Sequence, residues 1–111
     1  MFKFVVSFRH PRDAEAFENA YNDFLALVEH MPDIMRRQVV HVTGSPQGRA
    51  AYYRTLELYF ETQEQMKAAL MTTEGQEAGN ELARFTDGFD VFFAEVYEEA
   101  GGRTADDSAT S

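Results

Sequence analysis

Residues 50 to 60, AAYYRTLELYF, alternate as a β-strand does, and neither of the faces this creates is suited to open water. Even positions put Tyr52, Arg54, Leu56, Leu58 and Phe60 on one side, and odd positions put Tyr53, Thr55, Glu57 and Tyr59 on the other. The even side is the more apolar, so it is assigned to the core. The odd side still carries two tyrosines, and a chain of 111 residues can bury only one core. The strand therefore calls for a sheet covered by helices on one face and by something further on the other.

The rest of the chain supplies such a sheet. FKFVVSF aligns Phe2, Phe4, Val6 and Phe8 on one face and predicts a strand ending at Arg9-His10-Pro11. Asp13 is placed to cap a helix in which Phe17, Tyr21, Phe24, Val28 and Met31 recur at helical spacing until Pro32 stops it. IMRRQVVHV predicts a second strand, and TGSPQGRA is the turn that returns it against residues 50 to 60. If Val42 faces Tyr52 across that hairpin, Arg37 stands opposite Glu57. Thr62 with Gln65 and Thr73 with Gln76 match the capping box and predict two short helices, whose buried stripe is Met66, Ala69, Leu70, Leu82 and Phe85. FDVFFAEVY, after the Asp87-Gly88 turn, predicts the last strand.

This order is that of an α+β, ferredoxin-like βαββαβ fold, an antiparallel sheet with its helices on one face. Right-handed crossovers make the first and third strands central and the second and fourth the edges. The uncovered face then carries Val5, Tyr53, Tyr59 and Phe92, an apolar and aromatic patch expected to meet a second copy of the same sheet in a homodimer. The domain is expected over 1–97. The acidic, Gly- and Ser-rich 98–111 has no large apolar residue and is expected to be a tail making few contacts.

Composition removes several functions. No cysteine means no thiolate nucleophile and no cysteine-ligated metal. A net charge of −9 without a basic stripe argues against nucleic acid. No apolar run approaches a membrane span, so a cytoplasmic protein without a membrane partner is expected. His10, His30 and His41 are dispersed and offer neither a metal site nor a haem ligand, so no metal or cofactor is expected. Ser7, Ser45 and Thr55 lack a neighbouring His and acid, and TGSPQG lacks the lysine of a phosphate loop.

What remains is a small-molecule pocket. An aromatic body with a polar tip suits a pocket wall, which brings in Tyr21 on the buried side of the first helix and Tyr52 on the helix side of the strand. Arg54, on the same apolar face as Leu56, must reach the rim, meet an acid or meet a ligand's oxygens, because an unpaired buried charge is costly.

Taken in order, KFVVSFRHPRDAEAF, HMPDIMRRQVV, TGSPQG, AYYRTLELYF and GFDVFFAEV resemble the EthD family of the dimeric α/β-barrel superfamily, over about residues 2–97. The resemblance implies two ferredoxin-like protomers that press their sheets into a barrel, each keeping a small-molecule cleft between helices and sheet. It implies relatives among cofactor-independent oxygenases, polyketide cyclases, lactone isomerases, haem-degrading enzymes and accessory proteins of ether breakdown, and EthD members are commonly labelled oxidoreductases. Many EthD-like sequences have a histidine in the first helix, within Tyr-x-x-x-His-x-Pro-Leu. Aligned back from Met31-Pro32-Asp33, this chain has Phe24 there and Ala26 in place of the proline. A phenyl ring transfers no proton.

The expected ligand-binding set is Tyr21, Phe24, Tyr52 and Arg54: a tyrosine as hydrogen-bond donor, Arg54 facing an enolate or carboxylate, and Phe24 shaping the wall. Two functions stay open. One is a cofactor-independent oxygenase, cyclase or isomerase acting on an apolar aromatic or carbonyl compound. The other is a non-catalytic metabolite-binding or accessory protein.

Overall fold

The computed structural model describes residues 1–102, so most of the expected tail, 103–111, lies outside the described residues. The elements are β1 (Phe2–Arg9), α1 (Ala14–Val28), β2 (Arg36–His41), β3 (Tyr52–Phe60), α2 (Gln63–Met71), α3 (Thr73–Glu81), a single 3₁₀ turn at Leu82–Arg84, and β4 (Phe89–Glu95). The sheet runs β2-β3-β1-β4 with every neighbour antiparallel, so β1 and β3 are central. This is the expected ferredoxin-like topology, with its second helical crossover divided between α2 and α3. Among the described residues no helix is long and apolar enough to cross a membrane.

Local chemistry explains the helix ends. The Asp13 carboxylate accepts from the Ala16 amide at 3.1 Å, satisfying one of the free donors of the first turn. α1 stops at Val28, before Pro32, and a turn closed by Met31 N–H to Val28 C=O keeps Met31 in the core. Thr62 caps α2 as expected. The α3 cap is Thr72, not Thr73, with its hydroxyl accepting from Gly75 N at 3.0 Å. Gly75 is required there by close approach, since a Cβ on it would stand 2.3 Å from the Ala69 carbonyl oxygen.

The core lies between β1 and β3 on one side and the helices on the other. It is dominated by rings: Phe8 is 4.5 Å from Phe85, 5.5 Å from Phe17, 5.6 Å from Tyr21 and 6.2 Å from Phe24, centroid to centroid. Most of these contacts are edge-to-face, the arrangement that aromatic quadrupoles favour.

β3 departs from simple alternation. Phe8 pairs with Arg54 but Arg9 pairs with Tyr52, so Tyr53 is an additional residue in the β1–β3 ladder. This bulge leaves Tyr53 and Arg54 both on the helix side and sends Tyr52 to the open face, exchanging the two tyrosines relative to expectation. Tyr53 packs edge-on to Phe17 at 5.2 Å, while the Tyr52 hydroxyl donates to Asp90 at 2.8 Å.

The β2–β3 register is also one residue from that expected. Val42 meets Tyr53, Gln38 meets Glu57, and Arg37 meets Leu58 on the helix side, where it reaches Glu29 at 3.5 Å. Glu57 is held by Lys3, 3.0 Å away along the sheet.

On the open face, Val5, Ser7 and Tyr59 are buried even within one chain. Long polar side chains lie over them. The Arg36 guanidinium sits 4.2 Å from the Tyr59 ring centroid, and the Tyr59 hydroxyl donates to Glu57 at 2.7 Å. Beside this polar lattice, Val40 and Phe92 stand exposed. The face is amphipathic, and less apolar than its sequence implied.

Candidate functional site

Arg54 reaches the core side of β3 at the level of the first turns of α1. There its guanidinium is enclosed by Phe17, Tyr21 and Tyr53, whose ring centroids lie 5.2, 4.8 and 5.3 Å from Cζ. Such enclosure suits a weakly hydrated planar cation. Glu18, next to Phe17 on α1, closes the box: Arg54 Nη1 and Nη2 donate to its two carboxylate oxygens at 2.7 and 2.9 Å. The Tyr53 hydroxyl adds a longer contact to Glu18 at 3.4 Å.

The electrostatics follow from this pairing. The bond from Arg54 holds the Glu18 carboxyl below its ordinary pKa, against a smaller opposing effect of burial. Burial pushes Arg54 down, yet Glu18 reverses this and leaves it above its usual value. Burial pushes the Tyr21 phenol up to about 12. Two polar atoms of the box, the Tyr21 hydroxyl and Arg54 Nε, are buried without a hydrogen-bond partner among the described residues. Native interiors leave few such atoms unpaired, and each is a place where an incoming oxygen would be stabilised.

The four expected site residues are thus divided. Tyr21 and Arg54 come together. Phe24 lies deeper among the core rings, 6.1 Å from Phe85, and lines a small apolar void of about 40 Å³ with Val28, Leu58 and Ala78. Tyr52 is on the opposite face of the sheet with Asp90 and Arg9. Glu18 and Tyr53 were missed. The signal for Glu18 was the need of a buried Arg54 for an acid, and Glu18 stands one turn before Tyr21 on the same helix. For Tyr53 there was none, because nothing in AAYYRT marks a bulge.

A larger cleft, of about 200 Å³, opens where β1 ends, α1 begins and the Asp87-Gly88 turn enters β4. Phe17 and Phe85 form its floor and Arg9, Arg12 and Arg84 its rim. Phe17 is common to both, lining the cleft while its ring centroid lies 5.2 Å from Arg54 Cζ. Arg12 is fastened to Asp87 through Nε at 2.7 Å and its backbone N–H at 3.2 Å, which lowers the Asp87 pKa.

The arrangement offers donors to an oxygen but little acid-base chemistry. Glu18 is ionised and engaged at both oxygens, so it is a weak base. The His10 ring nitrogen is 2.7 Å from the Ala50 carbonyl, and His30 and His41 are exposed. Among the described residues no three His, Asp or Glu side chains cluster as metal ligands would.

No family model matches the chain. An uncharacterized 11.0 kDa protein from the thcB-thcC intergenic region of Rhodococcus erythropolis is 27% identical over 89 residues, covering 79% of this chain and 86% of that protein. Among solved structures, an ethyl tert-butyl ether D (EthD) family protein from Bacillus halodurans superposes with a TM-score of 0.82 and 26% identity, over 87% of this chain and 99% of that one. A dimeric protein of unknown function and ferredoxin-like fold from Bacteroides fragilis gives 0.62 at 20% identity, over 86% and 95%. SnoaB, a cofactor-independent oxygenase from Streptomyces nogalater, gives 0.65 at 11% identity, over 88% and 94%. The last two share the fold alone. Strand order and superposition along nearly the whole of the Bacillus protein show that this chain has a ferredoxin-like fold and is similar to an EthD family protein.

Proposed function

We propose that the chain is an EthD-type homodimer whose protomers each bind a small aromatic or carbonyl-bearing molecule at the Phe17–Phe85 cleft, with an oxygen of that molecule directed to Tyr21 and Arg54. One observation carries this reading: two buried donors without partners lie one ring away from an open cleft. A volume of about 200 Å³ exceeds the roughly 150 Å³ that accommodates a benzene ring in an engineered protein cavity. Binding without turnover is favoured by the interior itself, where Phe24 and its neighbouring rings fill the space a general acid or base would need.

Dimerisation through the open sheet face is supported by the Bacteroides neighbour, described as dimeric, and by exposed Phe92 and Val40 flanking buried Val5 and Tyr59. A second reading, a cofactor-independent oxygenase, cyclase or isomerase, is favoured by the Streptomyces neighbour and by donors able to stabilise an enolate or phenolate.

The test is a binding and turnover screen of phenols, quinols and lactones against the wild type, Tyr21→Phe and Arg54→Met. Saturable binding weakened by both substitutions supports the site. Binding untouched by both removes Tyr21 and Arg54 from it. Turnover under air that both variants lose moves the assignment to the enzyme.

A further inference from the structure

We infer that the cleft selects an organic acid: a single ring or short apolar body that lies on Phe17 and Phe85 and bears a carboxylate taken by Arg12 and Arg84. This rests on the cleft being the binding site, as proposed above, and adds a charged group at its rim, distinct from the oxygen directed to Tyr21 and Arg54.

Charge distribution is the first reason. The chain carries a net charge of −9 with only ten lysines and arginines, yet three of those ten line this one cleft. Each of the three is paired with an acid, Arg9 with Asp90, Arg12 with Asp87 and Arg84 with Asp23 and Glu81, so the attraction for an anion is short-range and comes from the guanidinium N–H groups these pairs leave unused. Of the two acids in the lining, Asp13 accepts from the Ala16 amide of α1 and Asp87 from Arg12.

The guanidinium groups are held in place but not used up. Arg84 binds Asp23 at 2.6 Å and Glu81 at 2.8 Å, both through Nη1. Arg12 binds Asp87 through Nε and its backbone N–H. Among the described residues this leaves Nε and Nη2 of Arg84 and both Nη groups of Arg12 for a further acceptor. The existing pairs fix the side chains, so the entropic cost of organising a fork for a carboxylate is already met. The third arginine, Arg9, is tied to Asp90 at 2.7 Å and lies against Tyr52, so it forms the wall and not the fork.

The floor decides which anion. Phe17 and Phe85 stand edge to face, 5.4 Å apart, and inorganic phosphate or sulfate gains nothing from them. A benzoate-sized molecule fits the volume and covers both rings.

The test is NMR titration of the labelled full chain with benzoate, benzamide and inorganic sulfate at constant ionic strength. Benzoate is expected to shift the Phe85 and Gly88 amides saturably and to bind about tenfold more tightly than benzamide, because its bonds are charge-assisted. Arg12→Gln and Arg84→Gln are each expected to weaken benzoate by more than they weaken benzamide. These side chains are 84% and 44% exposed, so both variants should keep the wild-type spectrum. Benzamide binding as well as benzoate would overturn the acid preference and leave the cleft reading standing. Sulfate competing equally would show a bare anion patch and overturn the organic acid. Failure of both aromatic probes would overturn this inference and the cleft reading together.

Discussion

Arg54 and Glu18 share a two-point ion pair while differing sharply in access to water: the guanidinium side chain is 6% exposed and the carboxylate side chain 42%. Removing either partner therefore has unequal consequences. Glu18→Ala strands a cation among Phe17, Tyr21 and Tyr53, whereas Arg54→Met leaves a carboxylate that solvent can reach. Losing the partner of a fully buried charge costs about 3–5 kcal/mol. Water entering through the vacated Glu18 position reduces this, so about 2–3 kcal/mol is expected for Glu18→Ala. Arg54→Met should cost less than half of that. Urea unfolding of the two variants measures the difference, and a reversed order would mean that Arg54 is not desolvated.

The same pair shapes the response to acid. Glu18 is held below the ordinary glutamate value of 4.5, chiefly by its bond from Arg54. Glu57 is also lowered, because bonds from Tyr59 and Lys3 together outweigh the upward effect of its burial. A carboxyl whose folded pKa is depressed contributes stability above its unfolded pKa and loses it as pH falls through the folded one. Stability should be level near neutrality and decline from about pH 4.5 downward. Glu18→Gln should flatten that decline, measured as the urea midpoint across a pH series.

Tyr21 carries a hydroxyl that is buried without a partner, which costs about 1–3 kcal/mol relative to its hydrated state. Tyr21→Phe removes the oxygen and keeps the ring packing against Phe8 and Phe17. The variant is expected to be as stable as the wild type or more so, by up to about 1 kcal/mol, while binding oxygen-bearing ligands less well. It should also lose the phenol that titrates near pH 12 in absorbance at alkaline pH. A large loss of stability would show that the hydroxyl has a partner after all.

The Asp13 and Thr62 caps and the aromatic face of α1 could be read from the sequence because each depends on residues close together in the chain, and the strand order because right-handed crossovers leave few arrangements for this order of elements. Register across β3 could not. Both faces of the strand mix rings with charges, so a one-residue slip changes its apolar burial little, and patterning specifies the pairing weakly. The slip placed Arg37 against Leu58 instead of Glu57, and the bulge exchanged Tyr52 with Tyr53. Half of the site changed with it, as Tyr53 joined the Arg54 box and Tyr52 left for Asp90. The arginine cleft was hidden for a different reason: Arg12, Arg84 and Asp87 meet only through the packing of segments distant in sequence.

Gly75 offers a test of the α2–α3 junction that is independent of ligands. A methyl group there would overlap the carbonyl oxygens of Ala69 and Leu70, at 2.3 and 2.7 Å, and backbone cannot swing aside as a flexible side chain would. Gly75→Ala is expected to cost at least about 2 kcal/mol despite the better helix propensity of alanine, which is worth about 1 kcal/mol in an unobstructed helix. Gly79, on the same helix, has open space around its Cα, so Gly79→Ala should be neutral or stabilising. Equal thermal shifts for the two variants would mean that the tight junction opens readily.

Assembly is tested at Phe92, which pairs with Val5 on the open face and is 49% exposed in the single chain. Phe92 is not part of the core cluster, so Phe92→Glu leaves the folded protomer intact while setting a charge into the surface proposed to meet a second copy. A stable interface buries about 800 Å² on each partner with an apolar centre, and an unpaired carboxylate inside it costs several kcal/mol. The wild type is expected to sediment at twice its 12.6 kDa chain mass at micromolar concentration, and Phe92→Glu at the chain mass, with unchanged far-UV circular dichroism. Asp90, two residues along the same strand, is bonded within its own chain to Arg9 and Tyr52, so Asp90→Asn should leave the mass doubled. A wild type that sediments as a folded single chain would mean that Lys3, Arg36 and Tyr59 shield the open face by themselves, and the sheet-to-sheet dimer would be withdrawn.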